Sequence, residues 1–504
     1  MMLKTSGSLF LGMCKIFNDV VFGIKDLVVG VVLNVYTWYK GLRSADRHVQ
    51  IKFWLLSAIF FLTIFGYTLV KEVKDAVFVY IVGREYIWLA KILTIFMLAP
   101  LVFFYSYLVD RIRRYQLLYF YSVAFGSLGL LFAWLVGNAV YGLPNTDTSP
   151  WRIFGWLYYF FVESYSPFLV SVFWAFANSV SDPQFSKKNY SMMVAASKFA
   201  GVLASLAGVA MLGGHFIKLT DVVSYQVLMV CSSLVIFVIP IAVKVLITLV
   251  PGNMLHGYEA AYKFEKTRSN EEKKDAGSSV SLMSGLRMFM KYPYVLGIFS
   301  ILFFHEVVAN VLNYLKLGVA QEASSSVGEY GIFLFQVAGE VHFAGMVFSI
   351  LGASFLVNRF GERICLILNP LLVGFFLFLY MAAWGSGSLG LKCFMFNVAL
   401  VMIRALNYAF NYPLREALYI PTVKDVKFKS KSWIDSFGSK ISKSAGSSFN
   451  GLVENFFCIG SVLFFSTYSV FFVAVVAMWT LSSYWLGNRY EKVIKNNEVI
   501  GADE

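Results

Sequence analysis

Charge is what this 504-residue chain has least of. Asp, Glu, Lys and Arg make up 14% of it, hydrophobic residues make up 58%, and mean hydropathy is +0.68. Those values exclude a soluble fold and indicate a polytopic membrane protein. Cysteine is scarce too. Cys14, Cys231, Cys365, Cys393 and Cys458 lie far apart in apolar surroundings with no CxxC pair. They read as packing residues, not as disulfides or metal ligands. The five histidines show no metal spacing, so neither a metal nor another cofactor is expected. The first residues carry no charged-then-apolar leader and no Ser/Arg-rich transit pattern. SKISKSAGS lacks the glycine and the preceding strand of a phosphate loop. No HxxxxD or DxD cluster marks a membrane-embedded enzyme acting on phosphorylated lipids. A nucleic-acid partner is not expected.

What is present is a series of long apolar runs. In lipid each span must satisfy its own backbone, and runs of this length do so as helices. The expected fold is therefore all-α, with about twelve transmembrane helices in two six-helix halves. The spans are expected at about 53–79, 87–109, 116–138, 153–177, 190–212 and 223–250, then 294–317, 329–357, 364–385, 392–411, 442–466 and 468–486. Residues 1–50 form an N-terminal segment. Its apolar stretch, 8–40, is broken by Lys15, Asp19, Lys25 and Asp26, which suits an amphipathic surface helix. The two bundles are 51–250 and 292–488. The mixed-charge run in 251–291 reads as a solvated linker, and 489–504 as a charged tail.

Net charge is +13, and the basic residues sort by loop. One side collects Arg43, Arg47, Lys52, Arg111, Arg113, Arg114, Lys187, Lys188, Arg359, Arg363 and the lysines of 424–443. The other holds Arg84, Arg152, Lys218 and Lys392. The positive-inside rule then places both termini in the cytoplasm. LVDR after span two and LVNR after span eight occupy equivalent turns, which fits parallel pseudo-symmetry of the major facilitator kind. Asp110, Arg111 and Arg359 in those turns are expected to gate.

An ionisable side chain deep in a span is costly, so each is a functional candidate. The set is Lys74, Asp75, Lys91, Glu163, Lys198, His305, Glu306, Glu340, His342, Arg404 and Glu454. Some are expected to neutralise each other between helices, and Lys74–Asp75 reads partly as a local pair. Together they suit a polar cavity on the pseudo-symmetry axis, and its cations suit a phosphate-bearing anion. The stretch Arg404–Ser447 adds Arg415 and six lysines between Lys424 and Lys443, which attract anions at long range. Its small residues 444–447 allow a backbone or ligand to come close.

Several stretches resemble the nucleotide transporters of obligate intracellular bacteria and plastids, the ATP/ADP translocases. KEVKDAV (Lys71–Val77) resembles that family's K-x-x-K-D. VGREYIWLAK (Val82–Lys91) resembles G-A-E-x-I-P-F-L-K, with Trp88 in place of the proline. LYYFFVES through VFWAFANSVS resembles L-Y-Y…E-L-W…L-F-W-G-x-A-N. LREALYIP, KSWIDSFGSKISKSAGSS and YWLGNRY resemble later family segments in order. The resemblance implies a twelve-helix, major-facilitator-like carrier exchanging ATP for ADP in the inner membrane of an intracellular bacterium. Four positions central to the family fall on Lys74, Glu163, Asn313 and Arg415. Lys74, Arg415 and Lys91 would contact phosphates, and Glu163 and Asn313 would shape selectivity. Asn313 stands where the family carries a carboxylate, so proton-coupled net import through Glu306 or Glu340 stays open, as does another organic anion as cargo. A monomer is expected.

Overall fold

The computed structural model describes residues 35–251, 255, 291–351 and 361–500, without 110, 182, 216, 386, 420, 423–429, 431–432, 435–437, 458–460 and 497. Within these the chain is helical almost throughout, starting with a short helical stretch at 35–43. The first bundle holds α1 (Arg47–Ile81), α2 (Ile87–Val109), α3 (Arg114–Val136), α4 (Ile153–Val180), α5 (Pro183–Leu212) and α6 (Asp221–Leu249). The second holds α7 (Pro293–Glu322), α8 (Val327–Leu351) and α9 (Glu362–Gly385), then α10, which begins as Leu389–Leu406 and continues to Leu418. It ends with α11 (Ser439–Phe456) and α12 (Val462–Lys495). Ten of these segments are long and apolar enough to cross a membrane; α2 and α11 occupy the second and eleventh places. The chain is therefore a multi-pass membrane protein with the expected two sets of six helices.

Local chemistry sets many boundaries. Asp46, Thr220, Ser388 and Ser461 each cap a helix by accepting a backbone N–H from its first turn, as oxygen-bearing N-cap residues do. The α1–α2 turn needs Gly83, whose φ of +116° lies in a region an L side chain rarely adopts. Two prolines act inside spans. Pro167 lacks the N–H for a regular turn, and α4 widens into a π turn at Ser166–Val170. Pro413 follows a second π turn in α10, at Asn407–Asn411. Such bulges keep a helix continuous where one backbone bond is lost. Both lie in the fourth helix of their half, so the pseudo-symmetry extends to the defect.

Packing repeats as well. α1 packs on α5 and α6, and α3 on α6; likewise α7 packs on α11 and α12, and α9 on α12. The halves meet along α5–α8 and α2–α11. Each half has an apolar core, one rich in buried Tyr158, Tyr159 and Phe173, the other centred on Trp479 and Tyr380. Large apolar side chains such as Phe96, Trp134, Phe378 and Leu481 face outward, as contact with lipid tails requires. At the end where α1 and α7 finish, Tyr314, Ala320, Tyr330 and Phe335 of the second half join the core of the first.

Two boundaries differ from expectation. The last two spans were expected to divide near 467; the break instead lies between Phe456 and Val462, where the Ser461 cap starts α12. The last span runs on helically past about 486, so the first residues of the charged segment from Arg489 continue α12 to Lys495. Beyond it the chain folds back, and the Ile500 N–H donates to the Pro421 carbonyl at 2.8 Å. Residues 1–34 and most of the 251–291 linker lie outside the described residues.

Candidate functional site

The polar side chains of α1 gather at its final turns. Lys74 Nζ donates to Glu163 of α4 at 2.5 Å, lies 3.2 Å from Asp75, and sits 4.3 Å from the centre of the Tyr159 ring. Lys74 is 5% exposed and Tyr159 is fully buried. Lys74–Asp75 is thus the local pair expected, with Glu163 as a third member from a distant helix. A charge taken out of water persists where opposite charge and hydrogen bonds surround it. The Glu163 carboxylate is also in electrostatic range of Lys91 and Lys443.

A second group crosses between the halves. Lys316 of α7 places Nζ 3.0 Å from Glu72 and 3.9 Å from Asp75 on α1. Glu72 is 1% exposed and takes a second ammonium, Lys71, at 2.7 Å. Further along, Arg84 lies 5.0 Å from the centre of the Tyr314 ring, and the Tyr314 hydroxyl donates to Glu454. Tyr225 donates to the Val327 carbonyl at 2.7 Å, and Asp221 accepts the Gly328 N–H at 2.9 Å. These bonds hold the halves together at the end where α1 and α7 finish.

A third group lies at the α2–α7–α11 junction. Lys91 Nζ donates to Asn310 Oδ1 at 2.8 Å. The Asn310 amide donates to the Lys443 carbonyl and to Ser447 Oγ, each at 2.6 Å. All polar atoms of the Asn310 side chain are thereby used, and the ammonium is held in one place. Gly446 makes this junction possible. A Cβ there would lie 2.9 Å from the Val307 carbonyl oxygen and 3.3 Å from Asn310. The small residues opening span eleven therefore admit the α7 backbone.

The remaining group belongs to the second half. Glu306 lies 3.9 Å from Lys443 and in electrostatic range of His305, Arg404 and Arg415. Glu163 lies three residues before the π turn of α4, and Arg404 three before that of α10, so both defects adjoin a charged position.

The expected residues separate accordingly. Lys74 and Glu163 pair directly, and Lys91, in electrostatic range of Glu163, is bonded to Asn310 instead. Asn313 is half-buried on α7 between Asn310 and Lys316. Arg415 and Glu306 line a separate cavity between α7 and α10. Glu340 is exposed on α8, and the Arg111 guanidinium lies 3.9 Å from the centre of the Tyr107 ring. Asp110 and Arg359 lie outside the described residues. Sequence reasoning passed over Glu72, Lys316 and Asn310. The first two carried the same signal as Lys74, a charge within an apolar run. Asn310 is neutral, and nothing in its neighbours announces a triple hydrogen bond.

The sequence model of one family, described as TLC ATP/ADP transporter, matches residues 148–490. The ADP,ATP carrier protein 1 of Rickettsia bellii is 22% identical over 499 residues, covering 90% of this chain and 96% of that one. The ADP,ATP carrier protein 4 of Rickettsia conorii is 21% identical, covering 92% and 95%. Among solved structures, a D-xylose-proton symporter superposes with a TM-score of 0.62 at 13% identity, covering 87% of this chain and 97% of that one. The inward-open xylose transporter XylE from E. coli gives 0.55 at 11%, covering 87% and 95%. At such identity the likeness concerns the fold, which is that of the major facilitator transporters.

Proposed function

The chain belongs to the TLC ATP/ADP transporter family, and from that premise we propose that it carries nucleotides across its membrane by alternating access. It is a transporter and not an enzyme. The observation that carries the reading is that Lys74, Lys91 and Lys443 all act on Glu163, with Lys91 of the first half tied to Asn310 of the second. A phosphate chain of several negative charges is the ligand that such a set of ammonium groups suits. A ligand touching both halves also biases how they sit, which alternating access requires.

In this reading Lys74 and Lys91 contact the phosphates, and Glu163 holds Lys74 in place until substrate competes for it. Asn313, on α7 between Asn310 and Lys316, shapes selectivity without a charge. Arg415 acts from the second-half cavity. The transporter works as a monomer in a bacterial inner membrane with both termini in the cytoplasm, and Asp110, Arg111 and Arg359 gate that side. ATP/ADP exchange is the primary form. Net import coupled to protons through Glu306 or Glu340 is the second form, favoured by Asn313, which puts a neutral amide where the family resemblance implies a carboxylate.

Purified protein in liposomes tests this with radiolabelled nucleotides. The vesicles are preloaded with ADP or left empty, with and without an inward proton gradient. Uptake only after preloading identifies an exchanger, and gradient-driven uptake into empty vesicles identifies an importer. Absence of uptake under every condition refutes nucleotide transport and points to another organic anion.

A further inference from the structure

We propose that the cavity between α7 and the π turn of α10 is a base subsite, where Asn407, Asn411 and His305 read the edge of a nucleobase while its phosphates lie toward Lys91 and Lys74. This deepens the nucleotide-transport reading and rests on it. The cavity measures about 200 Å³. At ~30 Å³ per water, that is room for about six or seven waters. Such a space suits one flat ring system and is too small for a whole nucleotide.

Its walls are short of partners. His305 is 3% exposed, and neither ring nitrogen has a hydrogen-bond partner among the described residues. Asn411 is 6% exposed; its Oδ1 accepts from Asn369 at 2.5 Å, and its Nδ2 has no partner. A buried polar group left unpaired is costly, and native proteins keep few of them. Both residues line the same cavity, and a ligand that enters it can supply the missing donor and acceptor. A heterocycle edge does so, and an amide matches such an edge well. Ile301 and Leu302 also line the space and give the ring an apolar face. The cavity also carries Glu306, a carboxylate that accepts a donor from a base edge.

Length fits as well. Asn310, which holds Lys91, lies five residues beyond His305, about 7.5 Å along the helix at ~1.5 Å per residue. Lys443 spans the gap, with its ammonium near Glu306 and its carbonyl on Asn310. A ring at His305 and a phosphate at Lys91 are therefore spaced like the two ends of one nucleotide. The π turn presents Asn407 and Asn411 to the cavity, which gives the second defect a role.

The test is binding to the full-length protein in detergent or nanodiscs, with ADP, GDP, CDP, UDP and inorganic pyrophosphate as probes. Wild type is expected to prefer one base by about tenfold or more, the scale of a single good edge contact. Asn411→Ala and His305→Ala are expected to cut that preference below about threefold while pyrophosphate binding stays unchanged. Leu302→Trp fills the space without touching a polar group, and is expected to weaken every nucleoside diphosphate and spare pyrophosphate. Wild type without base preference, variants that keep it, or nucleotide and pyrophosphate affinities falling together would each overturn the proposal. Failure of wild type to bind any nucleoside diphosphate would instead refute the nucleotide reading itself.

Discussion

Lys316 is the one cation described that joins α7 of the second half to two carboxylates of the first. Consider Lys316→Met, which keeps much of the side-chain volume and removes the charge. Breaking a buried ion pair by deleting one partner costs about 3–5 kcal/mol. Glu72 keeps Lys71 at 2.7 Å, and Asp75 keeps Lys74 at 3.2 Å, so we place the loss at about 1–3 kcal/mol. That loss falls on the arrangement in which the halves touch here, since the bridge cannot span separated halves. The balance of conformations should move about 5- to 150-fold toward opening at this end. Ala320 reports it: the residue is fully buried within the first-half core. In a background with the five native cysteines replaced by alanine, Ala320→Cys should react slowly with maleimide and much faster with Lys316→Met added. The double variant Glu72→Gln/Lys316→Met should recover part of the protection, because the buried carboxylate that lost a partner is gone and the remaining Lys71 ammonium, on a side chain 41% exposed, is left to solvent. Labelling unchanged by Lys316→Met, with no effect of the second substitution, would refute the latch.

Other outcomes follow from the same geometry. Lys74→Ala should cut uptake severely while the amount in the membrane stays normal; unchanged uptake removes Lys74 from the phosphate site. Asn310→Leu frees Lys91 and leaves the Lys443 carbonyl without its donor, so nucleotide affinity should fall about tenfold or more, whereas equal binding would show that Lys91 needs no positioning. If the transporter is proton-coupled, Glu306→Gln or Glu340→Gln should lose stimulation by an inward proton gradient, and full stimulation in both rules these carboxylates out. Gly446→Val should destabilise the protein by about 1–3 kcal/mol, because its side chain meets the α7 backbone; an unshifted thermal transition would contradict the close approach.

How far the chain could be read before its structure depended on the kind of signal. Spans were legible because a run of about twenty apolar residues has few other uses. Lys74 and Glu163 were legible because a charge in such a run needs a reason. Their pairing was not, since 89 positions separate them and only packing brings α1 to α4. Glu72 and Lys316 show the same limit, with 244 positions between partners. Asn310 was missed because an amide in a span is ordinary until its three bonds are seen together. The α11–α12 break was placed late because 442–466 reads as one stretch, although Ser461 is a good cap residue. The cavity beside α10 was hidden for another reason: it depends on a π turn, and hydropathy does not distinguish a π turn from an α turn.

Counterflow tests the central claim most directly, because it needs neither a coupling ion nor a membrane potential. Liposomes bearing the protein are loaded with excess unlabelled ADP and diluted into a trace of labelled ADP. An alternating-access nucleotide carrier accumulates label transiently above its outside concentration and then releases it. No accumulation above that of protein-free liposomes, from protein that is correctly folded in the bilayer, would contradict nucleotide transport.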